Sequence, residues 1–250
     1  MVSSAHTRAS LASDLGELGI RSGDLVFVHS SFKSLGNVEG GAESVVGACE
    51  DAIGEDGLLL MPSFNLVGGR DERADRWDVD TTPSSVGWLT EFFRQMAGTV
   101  RSDHYSHSTA VRGRGAESLV ADHRSQRGMA SPWDRLPWGR TYGEGSPMIK
   151  AYERDGKILM IGVDHTTSTY CHVVEVRFWA ERKQADIDAP FIWLDRDRLG
   201  EYWDKHGEQA IGRLGDAETR VMGIRTYVDG LLEAVRCAPD RYDRVKLGTR

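Results

Sequence analysis

His172 and Glu175 stand three residues apart in Gly162-Val-Asp-His-Thr-Thr-Ser-Thr-Tyr-Cys-His172-Val-Val-Glu175, a segment that leaves an apolar run and enters a helical pattern. Residues at i and i+3 share one helix face. A carboxylate so placed orients an imidazole and supports its protonated form, which suits a general base. Thr169, in the hydroxyl-rich turn before the helix, offers a donor to a developing oxyanion. The helix N-terminus lowers a histidine pKa and the carboxylate opposes that effect. The same spacing also describes a capped helix start with a solvated His–Glu pair, and the residues alone leave both readings open.

A second stretch, Val28-His29-Ser-Ser-Phe-Lys-Ser-Leu-Gly36-Asn-Val-Glu-Gly40-Gly41, likewise joins an apolar run to a helix. Glycines let backbone N–H groups approach a ligand, and a helix N-terminus attracts phosphate. The stretch has neither G-x-x-x-x-G-K-[ST] nor the dinucleotide glycine spacing. A phosphate or pantetheine cradle and an ordinary glycine-rich loop both fit it. In Arg101-Ser-Asp-His-Tyr-Ser-His-Ser108, His104, His107 and Asp103 are residue types that ligate metals. Hydrogen-bonded structural histidines are the alternative. Cys171 adjoins His172, but neighbouring side chains on a helix diverge, so the two make a poor nucleophile–base pair.

Strands and helices must position these groups. Leu25–His29, Leu58–Pro62 and Lys157–Val163 are short, nearly continuous apolar runs and read as buried strands. Apolar periodicity predicts helices over Thr7–Leu18, Glu43–Ile53, Pro83 to Gly98, His172–Glu181 and Ala217–Val235. Asn65–Thr82 and Gly128–Ser146 read as irregular, Arg101–Arg112 as extended and Phe191–Leu194 as a short strand. Strand, loop, helix, strand predicts an α/β fold, one domain over residues 1–250, with a mostly parallel central sheet flanked by helices. Ligands of such sheets bind at the carboxyl ends of the strands, where the Ser30 and Thr169 loops fall.

The 250 residues carry 31 Lys and Arg against 38 Asp and Glu, a net charge of −7, which disfavours nucleic acid and anionic membranes as partners. The three cysteines are widely spaced without C-x-x-C, so neither a disulfide framework nor structural zinc is expected. The first ten residues lack an apolar signal core and no apolar run reaches a membrane span, which predicts a cytoplasmic protein.

In order along the chain, these stretches resemble the aminoglycoside 3-N-acetyltransferase (antibiotic N-acetyltransferase) family. The likeness is carried by Gly23-Asp-Leu-Val-Phe-Val-His-Ser-Ser with Leu35-Gly36 and Gly40-Gly41-Ala42, by Leu60-Met-Pro-Ser-Phe, and by Thr82-Pro-Ser with Gly87 and Phe93-Arg94. It continues through Arg101 to Ser108, Gly145-Ser-Pro, and Gly162-Val through Thr169, His172 and Glu175. The resemblance implies an antibiotic-resistance acyltransferase that moves acetyl from acetyl-CoA directly to an amine, without an acetyl-enzyme and without a metal. By the same resemblance His172 would be the general base, Glu175 its holder, Thr169 the oxyanion partner and His29 a neighbour of the reacting centre. Ser30, Ser31, Phe32, Lys33, Ser34, Leu35, Gly36, Val38, Gly40 and Gly41 would hold the pantetheine and pyrophosphate of coenzyme A, with Ser108 nearby. Thr166 and Ser168 stand where the family usually has Asp and Asn, and Tyr105 where it usually has Pro. Ala130–Gly143 is longer than usual and carries Trp133 and Trp138. These departures bear on acceptor specificity.

The acceptor is expected to be a small, cationic amine, foremost the 3-amino group of an aminoglycoside. Between Asp186 and Asp204 lie Asp186, Asp188, Asp195, Asp197, Glu201 and Asp204 against Arg196 and Arg198. Carboxylates gathered over a cleft would bind such a cation. Phe64, Asn65, Asp186 and Asp188 are the residues expected to bind it. A homodimer is a candidate assembly. Other functions compatible with the residues are acetylation of a different small amine, such as a biosynthetic intermediate, a metal-dependent hydrolase on His104, His107 and Asp103, and coenzyme A binding without catalysis.

Overall fold

The computed structural model describes residues 5–249. Thr7 caps α1 (Arg8–Glu17) by accepting the N–H of Ser10. The central strand β1 (Leu25–Ser30) follows, then a 3-10 turn at Phe32–Leu35, α2 (Gly41–Ile53) and β2 (Leu58–Pro62). Next come α3 (Arg70–Arg76), α4 (Trp88–Gln95), β3 (Val100–Arg101), β4 (Thr109–Gly113), α5 (Ala116–Val120) and α6 (Pro147–Glu153). The chain then passes through β5 (Lys157–Ile161), α7 (Tyr170–Ala185), α8 (Arg196–His206), β6 (Ala210–Leu214), β7 (Ala217–Gly223) and α9 (Ile224–Cys237). Short helical turns at Pro239–Tyr242 and Arg244–Leu247 follow.

The strands form one seven-stranded sheet in the order β3-β4-β2-β1-β5-β7-β6. Its centre, β2-β1-β5, is parallel. Both flanks are antiparallel, so the sheet as a whole is mixed. At the outer pair connection length accounts for this: β6 and β7 are joined only by Gly215 and Asp216, too short for the crossover that parallel strands require.

Successive side chains of the central strands point to opposite faces. Val26, Val28, Leu59, Met61, Leu159 and Ile161 pack with Leu11, Leu15, Val45, Val46, Leu89 and Phe93 beneath α1, α2 and α4. Phe27, Leu60, Ile158 and Met160 pack with Val173, Val174, Val228 and Leu231 of α7 and α9. Full burial of each such side chain contributes about 1.5–3 kcal/mol. Two covered faces explain why these strands read as unbroken apolar runs rather than alternating ones.

Several sequence expectations change. Ala217–Val235 is not one helix. Ala217, Thr219 and Val221 are buried and Glu218 exposed, a period of two that makes β7, and α9 begins only at Ile224. The helical stripe of α9 extends backward through Val221, which satisfies both periods. Phe191–Leu194 forms no strand, only a bridge from Leu194 to Asp243. The helix expected from Pro83 starts at Trp88, because Gly87 takes φ 146 and ψ 147, outside the helical region, and the N–H of Ser84 is held by the Glu91 carboxylate. Arg101–Arg112 is broken between β3 and β4, where His107 takes φ +57. The irregular stretch Asn65–Thr82 contains α3, and α5, α6, α8 and β6 arise where no element was expected.

The connection from β1 leads to β2 on one side, while β5 pairs on the other. That reversal opens a crevice at the carboxyl end of β1. Among the described residues no helix is long and apolar enough to cross a membrane.

Candidate active site

β5 delivers its chain to the crevice through Gly162, which takes φ +60. A Cβ at Gly162 would collide with the side chain of Ser34, so only glycine lets the loops after β1 and β5 lie together. Asp164 then caps a 3-10 turn by accepting the N–H of Thr166, and Thr169 opens α7. His172 therefore sits in the first turn of a sixteen-residue helix and Glu175 one turn on.

The His172–Glu175 pair is buried rather than solvated. Nδ1 of His172 lies 2.6 Å from Oε2 of Glu175. Oε1 of Glu175 accepts the backbone N–H of Leu194 at 2.8 Å, so both carboxylate oxygens are held. On the other side of the ring, Nη2 of Arg196 lies 2.5 Å from Nε2 of His172. A guanidinium only donates, so Nε2 carries the lone pair and Nδ1 the proton given to Glu175. Burial holds His172 below the ordinary histidine pKa, Glu175 opposes this and Arg196 adds to it. The imidazole is thus neutral at neutral pH and able to take a proton.

His172 faces a cavity of about 410 Å³. His29 and Ser30 reach it from the end of β1, Phe64 from beyond β2, and Thr169 from the start of α7. Nε2 of His29 lies 3.4 Å from both the backbone N and the Oγ1 of Thr169, which ties the two loop ends together. Burial pushes His29 down to about 3, keeping it uncharged. The buried Oγ of Ser30 has no hydrogen-bond partner among the described residues. The N-terminus of α2 has no side-chain cap, because Gly40 in the left-handed region precedes it. An orphaned hydroxyl and uncapped N–H groups fit an acyl-CoA chain and its phosphates.

The rest of the expected cradle is less uniform. Phe32 packs on Trp88, with ring centroids 4.9 Å apart, and Lys33 is exposed. Ser34 donates to the Ser31 carbonyl at 2.6 Å. Gly36 lies against Asp216, Val38 bridges to His6, and Gly40 and Gly41 open α2. The side chains of Leu35 and Ser108 turn away from the cavity. Leu35 is fully buried with Val45 and Val46, so its side chain belongs to the core. Ser108 is fully buried and donates its hydroxyl to the Ser63 carbonyl at 2.7 Å, bracing the loop after β2.

The acceptor-side expectations separate. Phe64 lines the cavity, whereas Asn65 turns its amide to the Pro83 carbonyl and lines a neighbouring hollow. Asp186 and Asp188 do not reach the cavity. Asp186 caps the far end of α7, roughly 20 Å along the axis from His172, and both are exposed. Asp195 is engaged as the cap of α8 and Asp204 pairs with His165 at 3.1 Å. Asp197, Glu201 and Asp204, with Asp164, line a separate groove of about 180 Å³.

The hydrolase constellation does not assemble. The Asp103 carboxylate is taken by Trp77 at 3.0 Å and Arg124 at 2.6 Å, and His104 turns onto the backbone of Ser106. Among the described residues no three His, Cys, Asp or Glu side chains gather around one point. Burial raises the Cys171 thiol to about 11, so it stays protonated and inert.

Three cavity residues lacked a sequence signal for this role. Trp133 packs on His172 with ring centroids 4.6 Å apart, and His107 with 5.2 Å. Arg196 begins α8. Asp195 before the apolar positions Leu199 and Trp203 is a readable helix start. Nothing in its spacing, however, ties Arg196 to a histidine 24 residues earlier.

Comparison with known proteins follows the same direction. Residues 27–235 match the family described as aminoglycoside 3-N-acetyltransferase. The chain is 31% identical to aminoglycoside N(3)-acetyltransferase III of Salmonella over 259 residues, covering 97% of this chain and 82% of that one. Its fold is similar to AAC-IIIb in a binary complex with CoASH, with TM-score 0.74, 24% identity and coverage of 94% of this chain and 97% of that one. It is also similar to AAC-VIa bound to sisomicin, with TM-score 0.72, 22% identity and coverage of 94% and 98%.

Proposed function

The chain belongs to the aminoglycoside 3-N-acetyltransferase family and is an acyltransferase, and from that premise we propose that it moves the acetyl group of acetyl-CoA directly to an amine of a small cationic acceptor, the 3-amino group of an aminoglycoside. The observation that carries this reading is the Glu175–His172 contact, which fixes a neutral imidazole with its proton on Nδ1 and its lone pair on Nε2, at the cavity wall against Arg196.

The reaction needs a proton acceptor, an oxyanion partner and a proton donor to the leaving sulfur. The acceptor nitrogen attacks the thioester carbonyl carbon, and Nε2 of His172 takes the proton that the nitrogen gives up. The new C–N bond leaves an oxyanion, toward which the Thr169 hydroxyl donates. The C–S bond then breaks, and the coenzyme A thiolate recovers the proton from the imidazolium. Glu175 stabilises that imidazolium without itself taking the proton. His29, held neutral, backs Thr169 and adds no charge near the thioester.

Ser30 and the start of α2 suit the donor. The binary complex of AAC-IIIb with CoASH supports a coenzyme A donor, and the relatives named aminoglycoside N(3)-acetyltransferase support the acceptor class. Thiol release from acetyl-CoA with a panel of aminoglycosides tests the reading. Turnover dependent on one or more of them is expected. Absence of turnover with every member removes the aminoglycoside assignment.

A further inference from the structure

Arg196 holds a position that the reacting amine needs. Its Nη2 donates to Nε2 of His172, and its Nη1 donates to the carbonyl of Thr166 at 2.9 Å. The Nε2 lone pair is the one that must accept the proton of the attacking nitrogen, and one lone pair cannot serve two donors. Arg196 also forms no ion pair with any carboxylate among the described residues. Yet it is the wall shared by the reactive cavity and the groove lined by Asp164, Asp197, Glu201 and Asp204. A half-buried cation therefore sits against the base without an ion pair, and on its other side Asp197 and Glu201 also have none among the described residues, while Asp164 accepts from Thr166 and Asp204 pairs with His165.

We propose that Arg196 is an internal surrogate for the acceptor's ammonium group, and that acceptor binding exchanges one cation for the other, turning the guanidinium into the acidic groove. This rests on the amine-acetylating function proposed above. Exchange makes Arg196 a specificity-determining residue. An acceptor that brings a cationic hydrogen-bond donor to Nε2 replaces what it removes, while a neutral or anionic molecule leaves His172 unpartnered and gains nothing. The displaced guanidinium finds carboxylates with which it forms no ion pair in this structure, and opening the wall joins the cavity to a groove suited to further ammonium groups on the same acceptor.

The charged and titratable groups facing His172 are Glu175 on its own helix, Arg196 on α8, Arg244 near the C-terminus, His107 before β4 and Tyr142. Of these, Arg196 is the one in contact with Nε2. Replacing it with Met keeps an apolar stem and removes both charge and donors.

The test compares the wild type with Arg196→Met and Arg196→Lys. For Arg196→Met with an aminoglycoside acceptor, the acceptor KM should fall roughly five- to tenfold, because the binding-competent state no longer has to be uncovered. The acid limb of kcat/KM should move to higher pH, the acetyl-CoA KM should stay put, and added guanidinium ion should compete with the acceptor. Arg196→Lys should return the pH profile toward wild type. An acceptor KM that rises fivefold or more in Arg196→Met, or an unmoved acid limb, overturns the proposal. An NMR titration of His172 in the unliganded protein needs no turnover. A higher His172 pKa in Arg196→Met supports the exchange, and an unchanged one defeats it. If the wild type acetylates no amine, the functional reading fails by itself and the NMR titration alone decides the role of Arg196.

Discussion

The Glu175 carboxylate grips His172 with one oxygen and the backbone of Leu194 with the other, at 2.6 and 2.8 Å. A base held in this way has one ring orientation and one tautomer. His172→Ala should lower kcat on the order of 10²- to 10⁴-fold, the usual worth of a general base, while leaving coenzyme A affinity within about twofold. Retained activity would end the assignment of His172 as base.

The pH dependence of the reaction has a definite sign. The neutral imidazole is the active form, and its pKa lies below the ordinary value of 6.5. Activity should therefore be level through neutrality and fall only as the pH drops below that value. Glu175 raises the His172 pKa, so Glu175→Gln should move the acid limb of kcat/KM to still lower pH while reducing kcat. A limb that moved upward in that variant would contradict the buried hydrogen bond between Glu175 and His172.

Stability should depend on pH through other histidines. Burial holds His29 near 3, His104 near 4, and His107 and His123 well below 6.5. Below about pH 6.5 the unfolded chain binds protons that the folded chain refuses, so stability rises with pH and is lost on acidification. Each such histidine removes about 1.4 kcal/mol per pH unit between its unfolded and folded values. The urea midpoint should fall between pH 7 and 5, above the range where ordinary carboxylates titrate. A flat midpoint over that interval would show that these rings protonate without unfolding.

Gly162→Ala should cost roughly 1–2 kcal/mol from its left-handed backbone alone. The new methyl also meets Ser34. Ser34→Gly should recover the second part and not the first, so a double-mutant cycle on urea midpoints reads the contact directly. An additive cycle would mean that the two loops do not touch.

Neutralising the acids at the far end of α7, with Asp186→Asn and Asp188→Asn together, should leave the acceptor KM within about twofold, because their side chains lie far from the cavity on an exposed helix end. A tenfold rise would bring an acceptor contact back to that surface.

The parts of the site that lie on contiguous sequence were legible in it. His29 and Ser30 follow one apolar run, and Thr169, His172 and Glu175 follow another, so strand exits and helix period were enough to bring them to one crevice. Arg196 was not legible, and Trp133 was legible only as a departure bearing on acceptor specificity, not as a neighbour of His172. They arrive on a helix start and an irregular loop whose direction is set by tertiary packing, and charge counting treated Arg196 as part of an acidic segment. The central strands were readable because both faces are buried. β6 was not, since Ala210, Ile211 and Arg213 are exposed and give no apolar run. Asp186 and Asp188 stand outside the cavity lining, since a local excess of charge has no bearing on where a helix ends.

The contact between Thr169 and His29 spans 140 positions of the chain. β1, which carries His29, is among the first strands to leave the ribosome, while its neighbour β5 is made more than halfway along. A chain in which β1 and β2 had paired before β5 was made would carry an open apolar edge, the kind of surface that recruits other chains. Loop closure of this length adds little to the equilibrium cost but slows the search for the native pairing. The supply of Lys157–Ile161 is thus the step that closes this edge, and a shorter wait for it, through synthesis rate or chaperone supply, should raise the yield of active protein.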